Sequence, residues 1–423
     1  MKIPLAYGEH DLLVEFPDDR TTVVEPTWRD AAADPALLLR TALVQPIKGP
    51  PLRALVEAGQ RVAISVCDGT RAQPRRLMLD AVLEQLDGVV RPDDIMVLVA
   101  TGTHRANTPD ELVAMFGPDL VDRVRIVNHD SRDLSSLQWM GTLGAGVPVW
   151  LNRQWVNADI RITTGFVEPH FFAGFSGGPK MVAPGLAGLD TVLTLHDARR
   201  IGHPNAKWGI TEGNPVHDDV RAIAAATGVS FAFDVVLNRD KEIVSAFAGE
   251  LFAMHRAACA EAKALAMRAV PAAFDVVVTT NSGWPLDQNL YQAVKGMSAA
   301  AQVVRPGGVI VAAAECRDGF PDHGGYRDLL ASYPDMDALL ADVQGRDVTV
   351  PDQWQAQIQA LVQAKARVLV HSDYLSATDL AGAHLESSAD VAATVSEALA
   401  AFGPDARVCV LPEGPQTIPY LAT

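Results

Sequence analysis

Short apolar runs alternate along the chain with longer stretches in which apolar residues recur every three or four positions. Arg61-Val-Ala-Ile-Ser-Val-Cys67, Asp94-Ile-Met-Val-Leu-Val-Ala100, Arg123-Val-Arg-Ile-Val-Asn128 and Asp159-Ile-Arg-Ile-Thr-Thr164 read as strands, being short and rich in β-branched residues. Pro74 to Leu86 carries a helical period between the first two. Thr108-Pro-Asp-Glu111 is a capping box with proline at the first helical position, so a helix starts there. Asn214-Pro215 opens another helix and Gly228 stops it. An alanine-rich helical pattern from about Gly249 ends at Val270-Pro271, and Phe274-Asp-Val-Val-Val-Thr-Thr280 then reads as a strand. Helices near 289–304, 352–366 and 389–402 alternate with strands at 308–314, 367–371 and 407–411.

This alternation predicts an α/β fold of two domains, each a mostly parallel sheet flanked by helices. The break at 270 gives a cofactor-binding domain over 1–270 and a second over 271–404, with the tail 405–423 free to return to the first. An active site is expected in the cleft between them. The length, 423 residues, agrees with two cores.

Composition adds exclusions. Thirty-five basic against 51 acidic residues, a net charge of -16, argues against a nucleic-acid partner, which needs a basic face. No run approaches the ~18 apolar residues of a membrane span, and the N-terminus lacks an apolar signal core. The expectation is a cytoplasmic protein. Cys67, Cys259, Cys316 and Cys409 lie far apart without metal-ligand spacing and read as buried thiols.

Chemistry gathers where strands end. In open parallel sheets, ligands bind outside the carboxyl ends of strands. The first strand runs into Asp68-Gly-Thr-Arg71 and the second into Thr101-Gly-Thr-His-Arg105. The fourth leads to Glu168-Pro-His-Phe-Phe-Ala-Gly-Phe-Ser-Gly-Gly-Pro-Lys180, and His196 follows. Asn281-Ser-Gly-Trp-Pro leads from the 274–280 strand into a helix carrying Tyr291, Gln292 and Lys295. Glycines let backbone N–H groups line an anion site. A lysine beside them is a point charge or a nucleophile, and histidine is a metal ligand or proton shuttle. Each residue also has a plain reading. Arg71 could pair with Asp68 on the surface, His104, His170 and His196 could bond backbone, and Tyr291, Gln292 and Lys295 could form a solvated helix face. The segment is not a Walker loop, because no Ser or Thr follows Lys180. No His-x-x-x-His or Cys-x-x-Cys pair supports a zinc hydrolase. His129, His203, His217, His255, His323 and His371 have no comparable context.

The ordered set Asp68-Gly-Thr-Arg71, Gly102-Thr-His104, Pro169-His170, Ser176-Gly-Gly-Pro-Lys180, His196 and Tyr291-Gln292-x-x-Lys295 resembles the nickel-dependent lactate racemase family, collinearly over nearly the whole chain. The resemblance implies a racemase or epimerase inverting C2 of a lactate-like 2-hydroxy acid by reversible hydride transfer. Malate-like, aromatic or sugar acids are alternative substrates, and a nonenzymatic nucleotide-cofactor-binding protein is the alternative of another class. The implied cofactor is the nickel pincer nucleotide, pyridinium-3-thioamide-5-thiocarboxylic acid mononucleotide with nickel, made by dedicated biosynthetic enzymes. The resemblance puts its covalent tether on Lys180 and its nickel ligand on His196. Asp68, Thr70, Ser176, Gly177 and Gly178 would line the cofactor, and His104 and His170 would be the acid/base pair. Arg71, Tyr291, Gln292 and Lys295 would hold substrate, with Trp354 as a further aromatic. The family often has proline where this chain has Ala72 and Ala106.

Overall fold

The structure, a computed structural model, describes residues 1–321 and 324–422; His323 lies outside them. The chain forms two compact units. The first comprises Trp28–His196 and Asn205–Leu265; the second comprises Met1–Thr27, Asp197–Pro204 and Ala266–Thr423.

The first unit is built on a six-stranded sheet. Across the sheet the strands are Ile243–Gly249, Phe231–Leu237, Ile160–Phe166, Val62–Cys67, Ile95–Ala100 and Arg125–Asn128. All neighbours run parallel except the outer pair formed by Ile243–Gly249 and Phe231–Leu237. All six residues of Val62–Cys67 are buried, which explains its unbroken apolar run. Helix Arg75–Leu86 turns Met78, Leu79, Val82, Leu83 and Leu86 into the core. The capping box forms as read. Thr108 Oγ1 accepts from Glu111 N at 3.2 Å, and Glu111 Oε2 accepts from Thr108 N at 2.7 Å, an arrangement that stabilises a helix start by about 1 kcal/mol.

From Val62–Cys67 the chain adds strands on one side, then crosses to Ile160–Phe166 and continues on the other. The order therefore reverses between Val62–Cys67 and Ile160–Phe166. Their carboxyl ends, at Asp68 and Val167, flank the crevice where such sheets take ligands.

The second unit has its own six-stranded sheet, all parallel, in the order Glu386–Ser387, Ala366–His371, Val304–Ala313, Phe274–Thr280, Val408–Leu411 and Thr21–Val23. An N-terminal hairpin, Lys2–Tyr7 with His10–Glu15, adds Ile3, Leu5, Tyr7 and Val14 to its core.

The division therefore differs from a single break at residue 270. Residues 1–27 belong with the second sheet. The tail does too, because Val408–Leu411 inserts between Phe274–Thr280 and Thr21–Val23. The alanine-rich helix also ends early, at Ala266, since Met267–Val270 leaves it to pair with Ile418–Leu421. Both differences have one cause: unsatisfied strand edges recruit distant chain. All four cysteines are free and buried, as read. Among the described residues, no helix is long and apolar enough to cross a membrane.

Candidate active site

Two loops of the first unit leave the reversal point carrying titratable groups. The first is the turn after Val62–Cys67. Arg75 holds it from within: Nε donates to Cys67 O at 2.7 Å, and Nη2 donates to Arg71 O at 2.6 Å and to Asp68 O. Gln73 ties the turn to the neighbouring strand, accepting from Cys67 N at 2.7 Å and donating to Thr164 Oγ1 at 2.9 Å. These two buried side chains stiffen the turn where a proline could have stood in place of Ala72. The loop bearing His104 is fixed likewise, by reciprocal bonds between Asn107 and Asn128 of 3.0 and 2.9 Å.

Asp68 is buried and accepts from Thr70 Oγ1 at 2.7 Å. Its other oxygen meets His104 Nδ1 at 2.7 Å. Burial pushes this carboxyl upward, but the bond from His104, the positive field of His104 and Arg71, and Thr70 outweigh it and hold it below the ordinary range. A carboxylate can only accept, so His104 Nδ1 carries a proton, and the neutral form of this ring has its lone pair on Nε2. The His104 side chain is 46% exposed against 4% for Asp68. The Arg71 guanidinium is exposed and donates to Thr70 Oγ1 at 3.0 Å. The short contact to Asp68 comes from His104 rather than Arg71.

The second loop is the glycine-rich segment. His170 Nδ1 receives backbone N–H groups, from Ala173 at 3.2 Å and Phe172 at 3.5 Å. An N–H can only donate, so this Nδ1 carries the lone pair and the neutral ring bears its proton on Nε2. His196 closes helix Leu189–Leu195 and places Nδ1 2.7 Å from Val192 O. A carbonyl can only accept, so the proton sits on Nδ1, and the contact orients the ring as a metal-binding imidazole would need. The ring of Phe172 gathers the set. His170 and His196 meet it edge-on at 4.5 and 5.2 Å, and Lys180 Nζ lies 6.0 Å from its centroid.

Ser176, Gly177 and Gly178 shape this loop. Ser176 Oγ donates to Phe166 O and accepts from Glu168 N, both at 2.9 Å. Gly177 and Gly178 have φ of 68° and 51°, which only glycine adopts at little cost. A Cβ on Gly178 would lie 2.5 Å from His255 Cγ.

The floor beneath them went unnoticed in the sequence. Asp234 is fully buried and accepts from Gly178 N at 2.6 Å; burial pushes its carboxyl up to about 7. His255 bonds Ser176 O at 2.9 Å and stacks on His217 at 5.6 Å. Burial above all, helped by the charges of Lys180 and Arg221, lowers His255 to about 4 and His217 to about 3, so both are neutral.

Tyr291, Gln292 and Lys295 form a separate cluster in the second unit, on helix Leu290–Ala300. Lys295 Nζ donates to Gln292 Oε1 at 2.8 Å, and Asn289 caps the helix through Gln292 N at 3.1 Å. Trp354 Nε1 donates to Tyr291 OH at 3.2 Å. Among the described residues, no group of three or more His, Cys, Asp or Glu side chains is placed to hold a metal ion.

Residues 7–209 match the lactate racemase N-terminal domain and residues 269–418 the lactate racemase C-terminal domain. The chain belongs to the lactate racemase family. It is 35% identical to the lactate racemase of Thermoanaerobacterium thermosaccharolyticum over 98% of both chains. It is 38% identical to that of Lactiplantibacillus plantarum over 88% of both. The solved lactate racemase apoprotein from T. thermosaccharolyticum superposes with a TM-score of 0.91 at 34% identity, covering 99% of this chain and 100% of that one. A Thermotoga maritima crystal structure, at 18% identity and a TM-score of 0.69 over 94% of this chain and all of its own, shares the fold. Family membership accounts for the collinear motifs; the hydrogen bonds above describe how this member arms them.

Proposed function

We propose that this protein is a racemase that inverts C2 of a lactate-like 2-hydroxy acid with a nickel pincer nucleotide as cofactor. The residues present fit that group. His196 has Nδ1 engaged by Val192 O, which would orient Nε2 as a metal ligand, the cofactor providing the metal's other ligands. Lys180 rises from the turn Gly178–Met181 and would supply the tethering amine, while Asp68, Thr70, Ser176, Gly177 and Gly178 would line the cofactor. When bound, the cofactor would supply a hydride acceptor for the C2 hydrogen.

The protein places the substrate and moves its hydroxyl proton. Arg71 provides a guanidinium fork for the carboxylate, and Gln292 and Lys295, with Tyr291, hold it further. His104 Nε2 accepts the hydroxyl proton, and Asp68 stabilises the imidazolium that results. His170 presents its Nε2–H to the substrate oxygen as a hydrogen-bond donor. To return a proton from Nε2 without becoming an imidazolate, or to accept one there in the reverse direction, the ring must carry a proton on Nδ1, which requires Nδ1 to release its backbone donors.

The observation that carries this reading is the opposite arming of the two histidines, His104 by a carboxylate and His170 by backbone N–H groups. The test is a chiral assay on protein coexpressed with the cofactor-making enzymes, with nickel content measured in the same sample. Single enantiomers of lactate, malate, 2-hydroxybutyrate, phenyllactate and gluconate size the pocket. His104→Ala and His170→Ala should each lower racemisation about 10²–10⁴-fold with nickel retained. Retained activity in either variant removes that histidine from the pair, and loaded protein inert to every acid sinks the reaction class.

A further inference from the structure

His170 Nδ1 meets two backbone N–H groups, and the peptide that carries the closer one is itself held. The Phe172 and Ala173 N–H groups face His170 Nδ1. The Phe172 carbonyl, in the same peptide group as the Ala173 N–H, is engaged at the start of helix Pro215–Thr227. Asn214 Nδ2 donates to Phe172 O at 2.9 Å.

The helix alone does not need Asn214 in this form. Asn214 is fully buried and uses every polar atom. Its Oδ1 caps the helix, accepting from Val216 N at 3.1 Å and His217 N at 3.4 Å, while Nδ2 also donates to Ile210 O at 2.9 Å. Because Oδ1 faces N–H groups and Nδ2 faces carbonyls, the amide has one orientation. A serine would cap the helix as well, so the second amide function is extra.

We propose that Asn214 is a positioning residue for His170. By fixing the Phe172 carbonyl it aims the N–H of the same peptide group, that of Ala173, at Nδ1 and holds the His170 proton on Nε2. The role rests on the reading of His170 as an acid/base group, although the clamp itself is a property of the resting protein. A hydrogen bond to the carbonyl of a peptide group polarises its N–H, so the clamp strengthens the donor as well as aiming it.

The first test uses cofactor-free full-length protein labelled with ¹⁵N-histidine, with the His170 resonances identified against His170→Gln. Wild type should show the Nε2–H tautomer at His170. Asn214→Ser keeps the helix cap, loses the amide donor to Phe172 O, and should convert it to a mixture. Asn214→Asp, which caps the helix but cannot donate as a carboxylate, should do the same, and carries the test if Asn214→Ser fails to fold. An Nδ1–H tautomer in wild type, or an unchanged tautomer in both Asn214→Ser and Asn214→Asp, overturns the clamp. In loaded protein, Asn214→Ser should lower kcat for lactate about 10–100-fold, with KM and nickel content nearly unchanged. A loss of nickel in step with kcat would instead mark a general structural role and overturn the proposal. Racemisation surviving in His170→Ala sinks the acid/base reading alone, because the tautomer measurement judges the clamp independently.

Discussion

The turn after Val62–Cys67 and the glycine-rich loop after Ile160–Phe166 leave adjacent strands of one sheet, yet they prepare a histidine in opposite ways. In the first, a buried carboxylate takes the Nδ1 proton of a half-exposed ring. In the second, backbone N–H groups feed the Nδ1 lone pair of a ring packed between Phe171 and Phe172. One side chain, in two settings, becomes an acceptor or a donor toward whatever meets Nε2. The difference comes from the partner of the other nitrogen, and it follows from which groups can only accept and which can only donate.

That contrast can be attacked at either end. The largest effect should come from Asp68→Asn. An amide can present its NH₂ to His104 Nδ1, which would move the ring proton to Nε2 and remove the charge that supports an imidazolium. We expect kcat to fall about 10²–10⁴-fold with nickel content maintained, measured by chiral turnover of loaded protein. A change under threefold would show that the carboxylate does not arm His104.

On the other loop, Gly178→Ala imposes a left-handed alanine and pushes its Cβ into His255. A loss of about 2–4 kcal/mol in unfolding free energy is expected, read by urea denaturation. An unaltered midpoint would mean the loop relaxes freely and does not hold His170 by rigidity.

The smallest effect should come from Asp234→Asn, and it has a definite pH window. The folded carboxyl sits at about 7, above the roughly 3.9 of an unfolded aspartate. Between those values the folded state keeps a proton that the unfolded state has lost. The stability this contributes is complete below about pH 4 and is lost as pH rises to about 7. Asparagine does not titrate, so the variant's melting temperature relative to wild type should rise across that window and level off above it. A difference independent of pH would place the Asp234 carboxyl outside it.

Much of this architecture is legible in the chain itself. Val62–Cys67 and Ile95–Ala100 announce themselves because burial on both faces demands unbroken apolar runs. The Thr108 capping box forms because it is local. The strand Phe231–Leu237 is hidden by Asp234 in its middle, a carboxylate tolerated only because Gly178 bonds it. Met267–Val270 looks helical, and only its pairing with Ile418–Leu421, some 150 residues on, makes it a strand. The site divides in the same way. His104, His170 and Lys180 sit in motifs that follow strand ends, and His196 closes a short helix just beyond them. Arg75, Asn214, His217 and His255 support them from helices, and nothing in their immediate sequence shows which loop they will touch. Asn214 is the partial exception: its role as a helix cap could be read, but its grip on Phe172 could not.

The placement of Val408–Leu411 has a consequence for how the protein is made. Synthesis proceeds from the N-terminus, so every strand of the first sheet has been translated once residue 249 has been added. Thr21–Val23 pairs in the second sheet with Val408–Leu411, far downstream. That strand must wait, an unfilled edge, through the translation of almost 400 residues, and such edges invite wrong partners. The order of translation therefore completes one sheet early and leaves the other waiting for a distant strand.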